Sequence, residues 1–213
     1  MNKIRLKTIA SFIEDDDKVA DIGCDHAYLS IYLIQNKMCQ SVIASDINKN
    51  ALENARTNIK KEKLENNILT VLSDGLENID QASVNTLVLS GMGTSTILHI
   101  LKNVEKDKIK KIIVQSNNDL YVLRKKMKEF GYYLWKEIII YENKHYYCIG
   151  KYLQKPKRLK KVELYFGLYQ ENNRSYYQFL QKEFQTIYRK ISWKYIRKKM
   201  HLLYKMHLLK KYL

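Results

Sequence analysis

Glycine, proline and cysteine are all scarce in this chain: seven, one and three in 213 residues. Average usage would supply roughly 15 glycines and about 10 prolines. Collagen-like and Pro/Gly-rich disordered chains are therefore excluded, and regular elements with economical turns are expected. Cys24, Cys39 and Cys148 form no close pair and no ligand-like spacing, which argues against a disulfide framework or a cysteine-based zinc site. Missing too is any run of eighteen apolar residues, so no transmembrane helix is expected. The short apolar stretch near the N-terminus runs into Glu14-Asp15-Asp16-Asp17, so no signal-peptide core is expected either. A soluble protein of the reducing cytoplasm fits these shortages. What is present, 46% hydrophobic and 28% charged residues, is globular and long enough to bury a core.

Acidic residues are scarce in one region only. Residues 1–153 hold 22 basic and 19 acidic side chains, whereas 154–213 hold 16 and 3, so most of the net +16 lies in the last 60 residues. Lysine accounts for 31 of the 38 basic residues. Nucleotide bias in a genome would spread lysines evenly, so their clustering favours a nucleic-acid partner over a merely solvated face, with an anionic membrane third. The only proline, Pro156, sits at the same place. Before it strand-like and helical patterns alternate; after it the pattern is helical. Domains of 1–153 and 154–213 follow. In the second, Tyr177, Leu180, Phe184, Ile187 and Ile191 form a heptad seam, and Ile196, Met200 and Leu203 start an offset one. An antiparallel helix pair turning near Ser192-Trp193, or one long helix pairing between chains, satisfies this pattern, so monomer and dimer both stand.

In the first domain, Lys18–Cys24, Ser41–Ile47, Ile68–Asp74, Asn85–Ser90 and Lys111–Asn117 read as strands, and Tyr28–Lys37, Asn50–Lys61, Thr94–Lys102 and Leu120–Phe130 as helices. Such alternation implies βαβ crossovers and a mostly parallel sheet. Tyr132–Tyr141 and Tyr146–Leu153 are too close for a crossover and should form an antiparallel hairpin at one edge. The expected fold is α/β: a Rossmann-like class I methyltransferase sheet with a C-terminal α-helical coiled-coil domain.

Ligands of open α/β sheets bind beyond the carboxyl ends of the strands. The first strand ends in Asp21-Ile22-Gly23-Cys24-Asp25-His26, where Gly23 lets backbone approach a ligand. Asp46, followed by Ile47, ends the second strand, where a carboxylate can accept both ribose hydroxyls. Asp74-Gly75 ends the third and suits an adenine amino group; Ser90-Gly91-Met92-Gly93 ends the fourth. The loop lacks the later glycines of G-x-G-x-x-G and puts Asp25 and His26 where a pyrophosphate needs bare backbone. Nicotinamide cofactors are thereby disfavoured, while cationic S-adenosylmethionine tolerates the acid.

The runs Val19-Ala20-Asp21-Ile22-Gly23-Cys24-Asp25-His26-Ala27-Tyr28-Leu29, Asp74-Gly75-Leu76, Ser90-Gly91-Met92-Gly93 and Gln115-Ser116-Asn117 resemble the bacterial TrmK family. Its members are tRNA (adenine-N1)-methyltransferases acting on adenine 22 of the D-arm. The resemblance covers nearly the whole chain, including Arg5-Leu6 and the basic helical tail. It implies S-adenosylmethionine bound by Asp21, Gly23, Cys24, Asp25, His26, Asp46, Ile47, Asp74, Gly75, Ser90 and Gly91, and tRNA as partner. Asp21, His26, Met92 and Asn117 are the candidate catalytic residues; Arg5, Tyr28, Gln115, Lys198 and Lys199 are the candidate tRNA contacts. Two positions depart from the family pattern: Ser116 stands where proline is usual, and Thr94 where a small residue is frequent after G-M-G.

Individual roles stay open at this level. Asp21 either stabilises the cationic product base or holds the cofactor amino group. His26 makes a loop-to-sheet hydrogen bond, contacts the target base or shuttles a proton. Arg5 binds phosphate or caps the sheet. Met92 reads as a pocket wall and Cys24 as a filler. N1 of adenine has an in-plane lone pair, so alignment and water exclusion matter more than a strong base. The histidines show no ligand spacing, and no metal is expected. Rival readings are a methyltransferase for another RNA position or a small molecule, and a non-catalytic RNA-binding module on a degenerate Rossmann domain.

Overall fold

The computed structural model describes residues 4–213. They divide into two compact units between Lys157 and Arg158. Residues 154–157 stay with the first unit because they are tied to it: Gln154 Nε2 donates to Ile109 O at 2.8 Å and Lys157 Nζ to Trp135 O at 3.0 Å.

The first unit contains, in chain order, α1 (Ile4–Ala10), β1 (Val19–Ile22), α2 (Tyr28–Gln35), β2 (Val42–Asp46), α3 (Lys49–Lys61), β3 (Ile68–Leu72), β4 (Thr86–Met92), α4 (Thr94–Ile100), β5 (Lys111–Ser116), α5 (Leu120–Glu129), β6 (Tyr133–Glu142) and β7 (His145–Leu153). The seven strands form one sheet in the order β3-β2-β1-β4-β5-β7-β6. Pairing is parallel from β3 to β5 and antiparallel from β5 to β7 and within the β6–β7 hairpin. This is the expected Rossmann-like methyltransferase sheet.

Local chemistry explains the elements. The Asn48 side chain caps α3 by accepting from the amides of Asn50 and Ala51. Leu52, Ala55 and Ile59 then turn one stripe of α3 inward onto Ala44 and Ile68. On the other sheet face, Phe12, Ile13, Leu29 and Leu33 pack against Val19, Val88 and Ile113. Strands β4 and β5 are covered on both faces, so Leu87, Val88, Leu89 and Ile112, Ile113, Val114 are all buried, which is why they read as continuous apolar runs. Burying each such side chain contributes about 1.5–3 kcal/mol. Strand β4 runs two residues past its expected end because its register with β5 shifts between Ser90 and Met92. Helix α1 was not anticipated: its seven residues are too few for a clear helical period.

The second unit holds α6 (Lys161–Phe166), α7 (Arg174–Lys190) and α8 (Ile196–Leu209). Helices α7 and α8 run antiparallel: Lys199 lies on Tyr188, Lys205 on Phe184 and Tyr212 on Tyr177. The break at residues 191–195 makes them two helices of one chain rather than one long helix. The seam differs from the expected one. Tyr177 is buried, but Ile187, Ile196, Met200 and Leu203 are all at least 40% exposed, while Lys199, Leu202 and Leu209 are buried. The inward stripe of α8, which follows a 3-10 turn at Trp193–Tyr195, includes the polar Lys199 beside Leu202 and Leu209, so an apolar count alone selects the wrong face.

Candidate active site

The site is assembled by strand register. Ile22, the last residue of β1, lies opposite Ser45 of β2 and Leu89 of β4. One residue further on, Gly23, Asp46 and Ser90 emerge together at the switch point of the sheet, where ligands of such folds bind. The loop after β1 is held tightly. Gly23 and Cys24 both donate their amides to Ser45 O, at 2.8 and 2.9 Å. Gly23, Asp25 and Ala27 have φ of +73°, +51° and +57°, a concentration of left-handed backbone typical of functional loops. A Cβ on Gly23 would sit 2.4 Å from Met92 Cε, so Met92 lies directly on this backbone as a wall. Asp46 is fixed through both oxygens: Oδ2 accepts from the Asp25 amide at 3.0 Å and Oδ1 from the Asn48 amide at 2.8 Å.

A cavity of about 530 Å³ opens here. Of the candidate residues, Arg5, Asp21, Gly23, Cys24, Asp25, His26, Tyr28, Ser90, Gly91 and Asn117 line it. Asp46, Ile47, Asp74 and Gly75 lie outside this lining, along the carboxyl ends of β2 and β3, where Ser73 donates its amide to Asp46 O at 3.1 Å. Ile47, 66% exposed, offers an apolar shelf beside the Asp46 carboxylate. Leu29 of α2 also faces it, and Glu142 and Asn143, from the β6–β7 turn, with Leu6 and Ile9 of α1, complete the lining. These were missed because the far hairpin and the N-terminal helix approach the site only through the tertiary fold. The Arg5 amide donates to Glu142 Oε1 at 3.3 Å, and the Arg5 guanidinium lies 4.9 Å above the Tyr147 ring.

Asp21 is almost wholly buried, and Ser30 Oγ donates to its Oδ2 at 2.8 Å. Burial pushes its carboxyl up to about 6; the Ser30 hydrogen bond opposes this and the Asp46 charge adds to it. Burial, helped by the surrounding carboxylates, also drives the Cys24 thiol far up, so Cys24 is a filler and not a thiolate. The His26 ring stands 5.3 Å from that of Tyr28 and 3.7 Å from Asp25 Oδ2. The loop is anchored instead by the His26 carbonyl, which accepts from Asn58 Nδ2 at 3.0 Å. Among the described residues the His26 imidazole makes no hydrogen bond to the sheet, which removes the first of its three expected roles.

Two candidates need correction. Gln115 is fully buried and so is no substrate contact. Its Oε1 accepts from the Gly91 amide at 3.1 Å and Ser90 Oγ at 3.3 Å, and its Nε2 donates to Asn117 Oδ1 at 3.0 Å. Lys199 is 5% exposed, with its ammonium 4.4 Å from both the Tyr188 and Trp193 rings. That packing spends its charge on aromatic faces and removes it from the phosphate-contacting surface, whereas Lys198 is exposed.

The donor set fits S-adenosylmethionine. Asp21, Asp25 and Glu142 around one cavity, with Asp46 beside them, suit a cationic sulfonium and amino group and would repel a pyrophosphate. A family model described as Methyltransferase domain matches residues 2–149. The chain is 33% identical over 142 residues to the tRNA (adenine(22)-N(1))-methyltransferase of Bacillus subtilis, a match spanning 65% of this chain and 59% of that protein. Among solved structures, M. capricolum TrmK in complex with S-adenosyl-homocysteine aligns with a TM-score of 0.88 at 33% identity, covering 100% of this chain and 97% of that one. The B. subtilis M1A22 tRNA methyltransferase TrmK aligns at 0.85 with 27% identity, covering 98% and 97%. Likeness that runs from end to end, on a sheet whose switch point carries the acidic cavity, means that this chain belongs to the TrmK family of tRNA methyltransferases.

Proposed function

We propose that this protein transfers the methyl group of S-adenosylmethionine to N1 of adenine 22 in the D-arm of tRNA, in the cytoplasm. The observation that carries this reading is the acidic cavity at the switch point, with Gly91 and Asn117 on its rim, in a chain of this family. Bound there, S-adenosylmethionine supplies a sulfonium methyl that forms its new bond to the N1 lone pair while the carbon–sulfur pair stays on sulfur. Asp21, Gly23, Cys24 and Asp25 shape the methionine end of the pocket. Asp46 takes the ribose hydroxyls, and Ile47, Asp74 and Gly75 border the cofactor adenine. Ser90, Gly91 and Met92 form the wall between cofactor and target base, and His26 and Tyr28 cover the base from the loop side. From the methionine end, the Asp21 charge also offsets the positive charge that N1 alkylation leaves on the base. No proton need leave N1, so no general base is assigned.

The second unit carries 14 Lys and Arg against three Glu over 158–213. Its exposed basic residues, Lys198 among them, grip the tRNA backbone and fix register while the sheet edge takes the base. The target adenine must leave its stack, at a cost of a few kcal/mol that backbone contacts offset. A small-molecule methyltransferase would have no use for such charge.

The test is transfer of labelled methyl to bulk tRNA followed by nucleoside identification. Label in 1-methyladenosine, lost when adenine 22 is replaced by another base, is the expected result. Label in another nucleoside, or no transfer, refutes the reading.

A further inference from the structure

We infer that Asn117 selects adenine by accepting a hydrogen bond from the exocyclic amine of the target base, and that Gln115 is the positioning residue that fixes the Asn117 amide in the orientation this requires. The inference rests on the functional reading above and adds to it how adenine is told from other purines.

A side-chain amide can in general be turned over with little change of shape, exchanging its acceptor for its donor. Here the turn is blocked by a chain of bonds that begins at a group with no choice. The Gly91 backbone N–H can only donate, and it points at Gln115 Oε1 at 3.1 Å; Ser90 Oγ reaches the same oxygen at 3.3 Å. Gln115 must therefore present its carbonyl to Gly91 and its Nε2 to Asn117, where the distance to Oδ1 is 3.0 Å. Asn117 in turn must present Nδ2 to the Gly91 carbonyl, at 2.8 Å. Turning Asn117 over would set its NH2 against the Gln115 NH2 and its oxygen against the Gly91 oxygen. The backbone is pinned as well, since Asn117 donates its amide to Met92 O at 2.9 Å.

Gln115 is 0% exposed, so water cannot relieve a wrong arrangement, and an unsatisfied buried amide is costly. Gly91 closes the ring with φ of +81° and nothing within 4 Å of the position a Cβ would take. Its role is conformational: it lets β4 bulge so that its N–H and C=O both face the two amides.

These bonds leave one lone pair on Oδ1 and one hydrogen on Nδ2 of Asn117, which lines the cavity with Ser90 and Gly91. Adenine carries an amine at C6 next to the N1 that is alkylated; guanine and hypoxanthine carry an oxygen there. A locked carbonyl accepts from the amine and opposes the oxygen. It also holds the edge that presents N1 without using the N1 lone pair.

The experiment is a cycle in which atoms are removed from both sides. Steady-state kcat/KM is measured for wild type, Asn117→Ala and Gln115→Glu on tRNA carrying adenine or unsubstituted purine at position 22. The intrinsic loss of N1 nucleophilicity in purine is common to all three enzymes and cancels. Wild type should prefer adenine over purine by about 10- to 100-fold more than Asn117→Ala does, with cofactor affinity unchanged. Gln115→Glu retains acceptors for Gly91 and Ser90, but it donates to Asn117 only while its carboxyl is protonated. Its adenine preference should therefore approach wild type at low pH and fall as pH rises, a trend that a merely packing role would not produce. Equal preference in wild type and Asn117→Ala, or a pH-independent ratio for Gln115→Glu, overturns the inference while the function stands. Absence of 1-methyladenosine from the wild-type reaction overturns both.

Discussion

The hydroxyls of Ser116 and Thr94 lie 2.9 Å apart in the interior, joining the end of β5 to the first turn of α4. These are the two positions at which the family resemblance leads one to expect a proline and a small residue, and the structure brings them into one bond. Thr94 Oγ1 also donates to Asn118 O at 2.7 Å, and the Thr94 amide to Asn118 Oδ1 at 2.8 Å. A proline at 116 would stiffen the strand end through its ring; here paired hydroxyls hold the same segment. Ser116→Ala and Thr94→Ala should each lower stability by about 1–2 kcal/mol. The double variant should lose less than their sum, with a coupling of about 1 kcal/mol. Urea unfolding of the four proteins measures this, and strict additivity would show that the departures are independent.

The buried Asp21 should make cofactor binding pH-dependent. Its carboxyl titrates near 6, and a cationic ligand favours the ionised form. S-adenosylmethionine affinity should therefore rise from pH 5 to 7 and level off above, with proton release detectable by calorimetry in buffers of different ionisation enthalpy. Ser30→Ala removes the hydrogen bond that favours the carboxylate and should move the midpoint upward. The sign for folding is opposite. A carboxyl raised from about 4 in the unfolded chain to 6 contributes stability below pH 4 that is lost as pH rises through 6. By neutral pH the loss is about 3 kcal/mol. Asp21→Asn should thus unfold at a higher temperature at pH 7.5 while binding the cofactor more weakly; a lower melting temperature would contradict this account.

Residues at strand ends were legible in the sequence because β-branched runs fix the strands and a parallel sheet fixes where their ends meet. Asp21, Gly23, Asp46 and Ser90 follow from that alone. Glu142 was not legible, because the hairpin that carries it reaches the site through antiparallel pairing of β7 with β5, which composition does not announce. The burial of Gln115 was hidden because a polar residue in a strand reads as exposed until its partners, Gly91 and Asn117, are known. In the helical unit the seam expected through Ile187, Ile196, Met200 and Leu203 is exposed, since the buried stripe of α8 includes Lys199, a polar residue that an apolar count leaves out.

The Arg124–Glu137 pair joins α5 to β6 inside the sheet's cover, 2.7 Å apart with both side chains at most 3% exposed. The Glu137 charge beside it holds the Arg124 guanidinium in its protonated form despite burial. Glu137→Gln removes the carboxylate charge that faces this buried cation and should cost about 3–5 kcal/mol. Thermal melting monitored by circular dichroism should register a clear drop; a change within error would mean that water reaches the pair.

Neighbouring lysines on α8 should separate phosphate contact from packing. Lys198 is exposed, its ammonium 5.2 Å from the Tyr195 ring, while Lys199 is enclosed by Tyr188 and Trp193. If Lys198 neutralises a tRNA phosphate, Lys198→Ala should reduce the slope of log affinity against log salt by about 0.7 to 0.9 and leave the melting temperature unchanged. Lys199→Ala should leave that slope intact. It removes a buried stem and two cation–ring contacts, each worth about 0.5–2 kcal/mol, so the helix pair should melt earlier. Filter binding across a salt series, paired with melting curves, reads both. A slope change in Lys199→Ala with an unaltered melt would reverse the two assignments.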